Sequence, residues 1–384
     1  MSKKTFDEVV LFARTGLNPR TNFKLGIGDN KYITIKNIHD NEIIIDENTD
    51  VVDDAAIALI HKRSQIKKGD ILFCSIGRMG DMYIIQEEPE GWDINESVFA
   101  FTVDTSIVRQ KYFYYIFKNR DTIEYLIKNS SGSTFKSIKM NQLKKMVFDL
   151  PSLSEQDTIV AILDTLSLII QKREDELKKL DNLIKARFVE LFADERNMLK
   201  MSDICSIITD GTHQPPKFVA EGIPFIFVSN VVNDKLTYDA EKYITQETYD
   251  ELIKRTPIEI GDVLLSTVGS YGHPAVVESD RKFLFQRHIA YLKPKKEIVD
   301  SYYLHGALLS PGAQRQIEEG VKGIAQKTLN LSEIKKMKIP VPDLSKQKQF
   351  ADHVKLVDKS KKVIQKALDE AQTLFDSLMQ QYFG

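Results

Sequence analysis

The stretch PSLSEQ at Pro151–Gln156 returns as PDLSKQ at Pro342–Gln347, and each copy stands at the start of a long helical pattern. The two copies lie 191 residues apart (342 − 151) in a chain of 384 residues. A second block repeats at nearly the same distance, since GDIL at Gly69–Leu72 matches GDVL at Gly261–Leu264 with an offset of 192 (261 − 69). A near-constant offset between separated blocks indicates one internal duplication rather than a solenoid of short repeats.

A narrow apolar seam follows each copy of this motif. Apolar side chains recur there in steps that alternate between four and three residues, which is the a/d pattern of a coiled coil. Each pattern predicts a helix of about 35–40 residues, or about 55 Å, capped by Ser154 or Ser345. We expect the two helices to pack on each other; the alternative, two surface helices on separate cores, needs a wider apolar stripe. The predicted seam consists of Ile159, Leu163, Leu166, Ile170, Leu177, Leu180, Ile184, Leu191, Phe350, Val354, Val357, Ile364, Leu368, Phe375 and Leu378.

The remaining sequence divides into two globular parts. Residues 1–150 and 196–341 are expected to form them, with the helical segments at 151–195 and 342–384. Runs of β-branched and apolar residues bounded by Gly or Asp predict strands. Because strands and helices mix without strict alternation, the predicted class is α+β with an internal pseudo-twofold duplication. The predicted strands are Tyr32–Ile35, Ile71–Cys74, Phe225–Val228 and Val263–Ser266, and the predicted helices are Lys111–Ile127 and Ser301–Leu309.

The net charge of −2 hides an uneven distribution. The segment from residue 109 to residue 147 contains nine basic residues and only two acidic ones. A segregated basic surface suits a protein that contacts phosphate on one face, although a solvated helix face explains the same charges. The two cysteines, Cys74 and Cys205, have no metal-like spacing and are expected to be buried apolar positions rather than a disulfide.

Three further pairs of segments complete the repeated pattern. Each half has a glycine loop after its Gly-Asp strand, a Gly-x-x-x-Lys segment and a polar opening loop. They are Gly77–Gly80 with Gly269–Gly272, Gly132–Lys136 with Gly323–Lys327, and Arg14–Arg20 with Asp210–Pro216. Together with the motif and its helix, these segments resemble the specificity subunit of a type I restriction–modification system. The likeness covers nearly the whole chain in the right order, and the doubled architecture carries it.

The resemblance implies a function and a set of partners. Each globular half would be a target-recognition domain that reads one part of a bipartite double-stranded DNA sequence. The two helices would pack antiparallel and hold the readers apart. Two methyltransferase subunits would dock on the helices and restriction or motor subunits would join them, so that S-adenosylmethionine, ATP and Mg are bound by partners and none by this chain. One departure is that beyond Asp164 the helical repeats align best with an offset of 194, so the two helices are not expected to be strictly equivalent.

Polar side chains in the opening and glycine loops are the candidate DNA contacts. Arg can bridge guanine O6 and N7, Gln or Asn can bridge adenine, and Lys more often holds phosphate. The plain alternative is that such loops are simply exposed and polar. The candidates are Arg14, Asn18, Arg20, Lys24, Arg78, Lys136, Thr212, His213, Gln214, Lys217, Ser270, Tyr271, Gln326 and Lys327.

The sequence offers no recognisable catalytic or metal-binding pattern. An amino-methyltransferase needs a loop such as Asn-Pro-Pro-Tyr, whereas Pro215-Pro216 lacks the acid or amide before it and the aromatic residue after it. No Gly-x-x-x-x-Gly-Lys-[Ser/Thr] loop is present, and the seven histidines show no ligand spacing. We therefore expect a non-catalytic subunit. The alternatives are a coiled-coil scaffold with two protein-binding heads and, less well supported, a fragment of a fused restriction–methylation enzyme.

Composition and the N-terminal residues bear on location. Apolar residues make up 42% and charged residues 28% of the chain, which is typical of a soluble globular protein. No apolar run approaches the length of a bilayer span. The first residues become acidic at Asp7, where a signal peptide would become apolar. We therefore expect a cytoplasmic protein without a membrane partner, and the family resemblance implies a bacterial or archaeal source.

Overall fold

The computed structural model describes residues 2–39, 41–132, 135–323 and 327–384. The chain forms two compact units. Unit 1 consists of Met1–Lys172 and Leu368–Gly384, and unit 2 consists of Arg173–Ala367. Each unit therefore combines one globular body with a segment of each long helix. The four-segment boundaries drawn from the sequence stay a prediction, because a compact unit takes in whichever helix segments pack against its body.

The body of unit 1 is built from short strands and helices. In chain order the elements are β1 (Ser2–Thr5), α1 (Phe6–Val9), β2 (Val10–Thr15), β3 (Asn30–Ile33), β4 (Ile38–His39), β5 (Glu42–Ile43), β6 (Val51–Val52), α2 (Asp54–Ser64), β7 (Ile71–Cys74), β8 (Met82–Ile84), β9 (Trp92–Ile94), β10 (Val98–Val103), α3 (Gln110–Lys118), α4 (Arg120–Lys128), α5 (Met140–Leu143), β11 (Val147–Leu150) and the long helix α6 (Leu153–Phe192). The main sheet is antiparallel with the order β2-β10-β7-β8, and smaller sheets have the orders β6-β3-β9, β1-β11 and β4-β5.

Both faces of the central strand β10 are buried, which is why its sequence VFAFTV is apolar at almost every position. Phe101 points into an aromatic core that it shares with Phe73 and Phe113. Its neighbours Val98 and Ala100 belong to a smaller core on the opposite face of the sheet. Burial of each large side chain stabilises the fold by about 1.5–3 kcal/mol. This two-sided strand therefore anchors the body of unit 1.

The body of unit 2 repeats this arrangement. Its elements are β12 (Met198–Lys200), α7 (Met201–Ile204), β13 (Cys205–Asp210), β14 (Ile223–Ile226), a 3-10 turn (Val228–Asn230), β15 (Val231–Val232), β16 (Lys235–Leu236), β17 (Tyr243–Ile244), α8 (Gln246–Leu252), a second 3-10 turn (Ile253–Arg255), β18 (Val263–Ser266), β19 (Pro274–Val276), β20 (Leu284–Phe285), β21 (Ile289–Pro294), α9 (Ser301–Leu309), α10 (Pro311–Gly320), β22 (Val321–Lys322), β23 (Thr328–Leu329), α11 (Leu331–Lys336), β24 (Lys338–Pro340) and the long helix α12 (Leu344–Phe383). The main sheet has the order β13-β21-β18-β19, which matches unit 1 strand for strand. The predicted α+β class and the duplication are confirmed.

Two strands end earlier than the sequence predicts, and they do so at equivalent places. The strands β3 and β14 both begin and end two residues before the predicted limits. The side-chain oxygen of Asn37 accepts the backbone N–H of Thr34 at 2.9 Å, and that of Asn230 accepts the backbone N–H of Phe227 at 2.9 Å. A side chain that accepts a hydrogen bond from a backbone N–H in this way removes that N–H from pairing with a neighbouring strand, so the strand ends. The predicted strands β7 and β18 are confirmed to the residue.

The single helix predicted at Lys111–Ile127 is wrong, because the structure has two. Asn119 separates α3 from α4 and has an extended backbone. Its side-chain Nδ2 donates to the carbonyl oxygen of Phe383 at 2.7 Å. The end of α12 therefore holds the break in place, and a local apolar pattern carries no sign of such a distant contact. The helix predicted for the second half, α9, is confirmed to the residue.

The repeated Gly-Asp pair forms a buried turn before β7 and before β18. Asp70 and Asp262 are almost fully buried. Asp70 Oδ2 accepts the backbone N–H of Lys67 at 3.1 Å, and Asp262 Oδ2 accepts that of Glu259 at 2.8 Å. A buried carboxylate is costly unless it is hydrogen-bonded, so these bonds explain why both halves keep the aspartate. They also place Lys67 and Glu259 at equivalent positions.

The long helices begin earlier than predicted, directly after Ser152 and Asp343. The N-caps predicted at Ser154 and Ser345 are therefore wrong. Glu155 accepts the backbone N–H of Ser152 at 2.9 Å, and the hydroxyl of Ser152 accepts the backbone N–H of Glu155 at 3.3 Å, which is a capping box. Hydrogen bonds from Ser152 also hold the pKa of Glu155 below its ordinary value.

Each unit packs part of α6 against part of α12. In unit 1, Leu163 near the start of α6 and Met379 near the end of α12 belong to one apolar cluster. In unit 2 the Phe188 and Phe350 rings lie 5.3 Å apart, and Lys361 forms an ion pair with Asp181. Because later residues of α6 meet earlier residues of α12, the helices run antiparallel, as the family resemblance implies.

The end of α6 departs from the predicted seam. Leu191 is 38% exposed, whereas Phe188 and Phe192 are buried. Both phenylalanine rings contact Tyr303 of α9, at centroid distances of 5.5 and 5.0 Å. Leu191 is thus a correction to the seam, because the helix packs here on the body of unit 2 as well as on α12, and that shifts its buried face. The predicted seam residues that are buried are Ile159, Leu163, Leu166, Phe350, Val354 and Val357, and those that are half-buried are Ile170, Leu177, Leu180, Ile184, Ile364, Leu368, Phe375 and Leu378.

Candidate nucleic-acid interface

A cavity of about 420 Å³ in unit 2 brings together segments that are far apart in the sequence. It is formed by the loop after β13, the start of the glycine loop after β18, the turn between β20 and β21, and the segment from β23 into α11. Three of these four contain or adjoin segments that the sequence analysis singled out. The polar side chains that line it belong to Asp210, His213, Thr267, Arg287, His288, Thr328 and Asn330.

The loop after β13 lies tightly against the neighbouring strands. The backbone N–H of Gly211 donates to the carbonyl oxygen of Ile289 at 3.2 Å, and that of Thr212 donates to Phe285 at 2.9 Å. A Cβ atom added at Gly211 would collide with the Phe285 carbonyl group, so this position needs glycine. The close approach fixes the backbone that carries His213.

Asp210 orients two side chains at the edge of the cavity. Its carboxylate lies 2.8 Å from His213 Nε2 and 2.6 Å from a terminal nitrogen of Arg255. Half of each side chain remains exposed, 51% for His213 and 52% for Arg255. An arginine held in this way presents its remaining donors in a fixed direction, which is the requirement for reading a guanine edge. Arg255 was not among the residues predicted from the sequence.

Arg287 and His288 are further residues that sequence reasoning missed. The backbone N–H of Arg287 donates to the Thr212 carbonyl oxygen at 3.1 Å, so the two loops support each other. Burial lowers the pKa of His288, and the neighbouring Arg287 charge lowers it further. His288 is therefore neutral at pH 7 and can both donate and accept a hydrogen bond. The available signal was the polar run QRH directly after the apolar run FLF.

The glycine loop of unit 2 is shaped by two residues with positive φ, Gly269 at 72° and Gly272 at 83°. Between them Ser270 is exposed, while the Tyr271 side chain is half-buried against the core. Tyr271 therefore serves packing more than contact with a ligand. The loop's two glycines explain its repetition in both halves, since a turn with positive φ favours glycine.

Three predicted residues of unit 2 belong to, or adjoin, the segments that form this cavity. Gln214, Lys217 and Lys327 are exposed. The segment that carries Lys327 is tied to the residue that directly follows β18, because the Leu329 N–H donates to the Thr267 carbonyl oxygen at 2.8 Å. Gln326 lies outside the described residues.

Unit 1 joins its glycine loop and its Gly-x-x-x-Lys segment in the same way. The backbone N–H of Gly77 donates to the Lys136 carbonyl oxygen at 3.4 Å, and that of Ile138 donates to Ser75 at 2.9 Å. The Lys136 side chain is exposed. Both bodies therefore present a basic residue beside a glycine loop.

Arg78 of this loop is largely engaged by the protein. It donates to the carbonyl oxygens of Ile35 at 2.9 Å and Ile38 at 3.0 Å, and it lies 2.7 Å from His39 Nδ1. These bonds hold the hairpin of β4 and β5 against the glycine loop. The geometry favours a supporting role for Arg78 over the predicted base contact.

Arg14 also turns inward. Its guanidinium lies 2.7 Å from Asp70 Oδ2 and donates to Thr102 Oγ1 at 2.5 Å and to the Gln65 carbonyl oxygen at 2.6 Å. Only 15% of the Arg14 side chain is exposed. Arg14 therefore forms a structural ion pair with the buried Asp70 carboxylate, which needs a cation, and the base contact at Arg14 stays a prediction.

The other opening-loop residues of unit 1 are more accessible. Arg20 and Lys24 are exposed, and Asn18 is half-buried. The Asn18 carbonyl oxygen accepts a hydrogen bond from Asn22 Nδ2 at 2.9 Å, which stabilises the loop locally. Arg20 and Lys24 are thus the cations of this loop that are placed to meet a ligand.

The cysteines are buried free thiols in both units, as the sequence predicts. Burial raises the pKa of Cys74 and of Cys205 to about 12, so neither is a reactive thiolate. Across residues 2–39, 41–132, 135–323 and 327–384, no group of three or more His, Cys, Asp or Glu side chains is arranged to hold a metal ion. No helix in those same ranges combines the length and the apolar character that a membrane span requires.

Known proteins resemble this chain along most of its length. Among curated proteins, the EcoBI type I restriction enzyme specificity subunit of Escherichia coli is 24% identical over 328 residues, which is 76% of this chain and 68% of that protein. A putative type I restriction enzyme specificity subunit, MjaX, of Methanocaldococcus jannaschii is 25% identical over 341 residues, which is 78% of this chain and 75% of that protein.

Two solved structures share the fold. The S subunit of a type I restriction-modification system from M. genitalium superposes with a TM-score of 0.58 at 15% identity and covers 100% of this chain and 96% of its own. A chain from a structure of complex assembly in the type I R-M system superposes with a TM-score of 0.55 at 17% identity, covering 100% and 97%.

Both halves of the duplicated chain match the same protein family. The model of the type I restriction modification DNA specificity domain matches twice, at residues 2–179 and at residues 194–372. Each match contains one body and most of the long helix that follows it. The chain therefore belongs to the type I restriction modification DNA specificity family and is a specificity subunit with two target-recognition domains.

Proposed function

We propose that each body reads one half of a divided double-stranded DNA site and that the paired helices set the distance between the halves. The observation that carries this proposal is the repeated placement of a glycine loop beside a basic segment in both bodies. In unit 2 the oriented pair of His213 and Arg255 lies at the same surface. Side chains held by buried or hydrogen-bonded partners are suited to reading base edges, because their direction is fixed before DNA binds.

In this proposal the chain itself carries out no chemistry. Two methyltransferase subunits bind S-adenosylmethionine and modify the site, while restriction or motor subunits bind ATP and Mg. The absence of a methyltransferase loop from the sequence supports this division. The specificity subunit then contributes position and sequence choice alone.

The long helices offer surfaces for these partners. Leu356 is 63% and Val363 is 71% exposed on α12 within unit 2. In unit 1 a groove of about 760 Å³ is lined partly by Ile162 and Leu374, which are 37% and 49% exposed. Apolar side chains exposed along a helix favour partner docking, since water contact with them is unfavourable.

The test is to map methylated adenines in DNA modified by the complex assembled with its methyltransferase subunits. We expect a site of two short sequences that flank an unread spacer. A contiguous site, or methylation without sequence preference, would overturn the divided-site proposal.

A salt series separates this function from that of a scaffold with two protein-binding heads. DNA binding through phosphates weakens steeply as salt rises, because bound counterions are released. A complex that does not retain duplex DNA even at low salt would favour the scaffold.

A further inference from the structure

A strongly basic stretch lies at the end of α2 in unit 1. Lys62 and Arg63 lie in the last turn of the helix, and Lys67 and Lys68 follow it, with no acidic residue between them. All four side chains are exposed, and none forms an ion pair within the part of the chain that the structure describes. We call these four residues the α2 basic segment. None of them was among the DNA contacts predicted from the sequence.

Unit 2 carries a different charge at the equivalent place. The backbone N–H of Lys67 donates to the Gly-Asp carboxylate of unit 1, and that of Glu259 donates to the matching carboxylate of unit 2. Lys67 and Lys68 therefore correspond to Glu259 and Ile260. Ile260 is 53% exposed, so the second lysine has no charged counterpart.

The acid of unit 2 also neutralises a nearby cation. Glu259 lies 3.0 Å from Lys293 Nζ, and this contact holds the pKa of Glu259 below its ordinary value. The equivalent lysines of unit 1 keep their charge available. The carboxylates beside these lysines contact their backbone, since Asp70 accepts the N–H of Lys67 at 3.1 Å and Glu88 accepts the N–H of Lys68 at 3.3 Å. The two bodies thus differ in the charge that this surface presents.

The α2 basic segment borders the candidate DNA-reading loop. In unit 1 the carbonyl oxygen of Gln65, between Arg63 and Lys67, accepts a hydrogen bond from Arg14, the first residue of the opening loop Arg14–Arg20. In unit 2 the counterpart of Arg63 is Arg255, at the same offset of 192 (255 − 63). Arg255 contacts Asp210 in the equivalent opening loop. The segment therefore adjoins the opening loop in each body.

We propose that the α2 basic segment binds DNA phosphates beside the first half-site, so that the first target-recognition domain supplies the larger sequence-independent share of DNA affinity. This inference rests on the proposed function and adds that the two domains contribute unequally to the sequence-independent DNA affinity. Exposed, unpaired lysines release counterions from DNA when they bind phosphate, and they read no bases. The second domain relies more on its oriented polar side chains.

The test uses the full chain assembled with its methyltransferase subunits. Binding to a duplex that carries the divided site, and to an unrelated duplex, is measured over a salt series. For Lys67→Gln with Lys68→Gln, the slope of log K against log salt becomes less steep by about 2, since each phosphate contact contributes about 0.9. Affinity falls by the same factor on both duplexes. Lys67→Arg with Lys68→Arg keeps the wild-type slope.

Two matched variants complete the design. Lys3→Gln with Lys200→Gln removes the same charge from the exposed strands β1 and β12, and it leaves the slope unchanged. Glu259→Lys with Ile260→Lys gives unit 2 the residues of unit 1, and it makes the slope steeper.

Two outcomes would overturn the inference. One is an unchanged slope of log K against log salt in the variant with Lys67→Gln and Lys68→Gln. The other is a loss of affinity confined to the duplex with the divided site. Either result leaves the proposed function standing if wild type still prefers that duplex. A wild-type complex that does not prefer it contradicts the proposed function itself.

Discussion

Gln156 and Gln347, which lie 191 residues apart, hold the starts of the two long helices through the same hydrogen bonds. Gln156 Nε2 donates to the carbonyl oxygens of Ile107 at 3.0 Å and Pro151 at 3.1 Å, and its Oε1 accepts the backbone N–H of Arg109 at 2.8 Å. Its side chain is fully buried. The last residue of the repeated motif therefore fastens each helix to the loop that precedes the body's own helix.

Gln347 repeats each of these bonds in unit 2. Its Nε2 donates to Ile298 at 3.0 Å and Pro342 at 2.7 Å, and its Oε1 accepts the N–H of Asp300 at 2.9 Å. One amide side chain satisfies three backbone groups, which no smaller or apolar residue can do. This explains why glutamine ends the motif in both halves.

We expect Gln347→Ala to destabilise the protein by about 1–3 kcal/mol, because it leaves buried backbone groups without partners. Urea unfolding followed by circular dichroism measures the change. The matched control is Lys346→Ala, an exposed neighbour on the same helical turn, for which a change within about 0.5 kcal/mol is expected. Equal effects of the two substitutions would contradict the assigned role of the glutamine.

Arg14→Ala is expected to act on stability before it acts on DNA. Removing the guanidinium leaves the fully buried Asp70 carboxylate without its cation, and breaking such a pair costs about 3–5 kcal/mol. Thermal unfolding of the isolated subunit is the measurement. Wild-type stability combined with a changed first half-site would show instead that Arg14 reads DNA.

Arg20→Ala and His213→Ala should affect different halves of the target, since the two residues belong to different bodies. Loss of a base contact costs about 1–3 kcal/mol and relaxes one position. Selection of preferred sites from a random duplex library, with wild type alongside, reveals which half changes. Uniform weakening on all sequences would identify the residue as a phosphate contact.

Paired insertions into the long helices test whether they set the spacer. One heptad added near Lys179 and one near Ala371 keep the seam in register and add about 10 Å to each helix. The preferred spacer should lengthen by up to about three base pairs, because the duplex rises ~3.4 Å per pair. Affinity should fall in part, since a reader moved by three pairs also rotates by roughly 100° around the duplex. An unchanged spacer in a complex that still assembles would show that another element sets the distance.

The lowered pKa of Glu8 predicts how the stability of the protein changes with pH. Hydrogen bonds from the Thr5 backbone and hydroxyl group lower the pKa of Glu8 from 4.5 to about 2. Because the folded pKa is below the unfolded value, the stabilisation is present above pH 4.5 and is lost as pH falls toward 2. The difference in Tm between wild type and Glu8→Gln should therefore shrink as pH is lowered from 6 to 3. A constant difference, with Asp7→Asn as the control for charge, would exclude this coupling.

The repeated motifs by themselves determined the duplication, the α+β class and the existence of two long helices. Periodicity is a local property, so the strands β7 and β18 could be placed to the residue. The limits of local reasoning appear at Ser154, where the motif's own Leu153 already belongs to the helix. Helix length followed from the pattern, whereas the capping residue depended on side-chain geometry.

The tertiary structure alone decided which polar side chains face outward. Arg14 looks like a DNA contact in the sequence, but the buried Asp70 carboxylate, 56 residues away, draws it inward. Conversely, Arg255 and Arg287 join His213 at one surface although they are far from it in the chain. A charged group must satisfy its burial and its partners in three dimensions, and those partners are set by how the sheet brings distant strands together. The sequence determines the pattern of elements, and the packing of those elements determines the site.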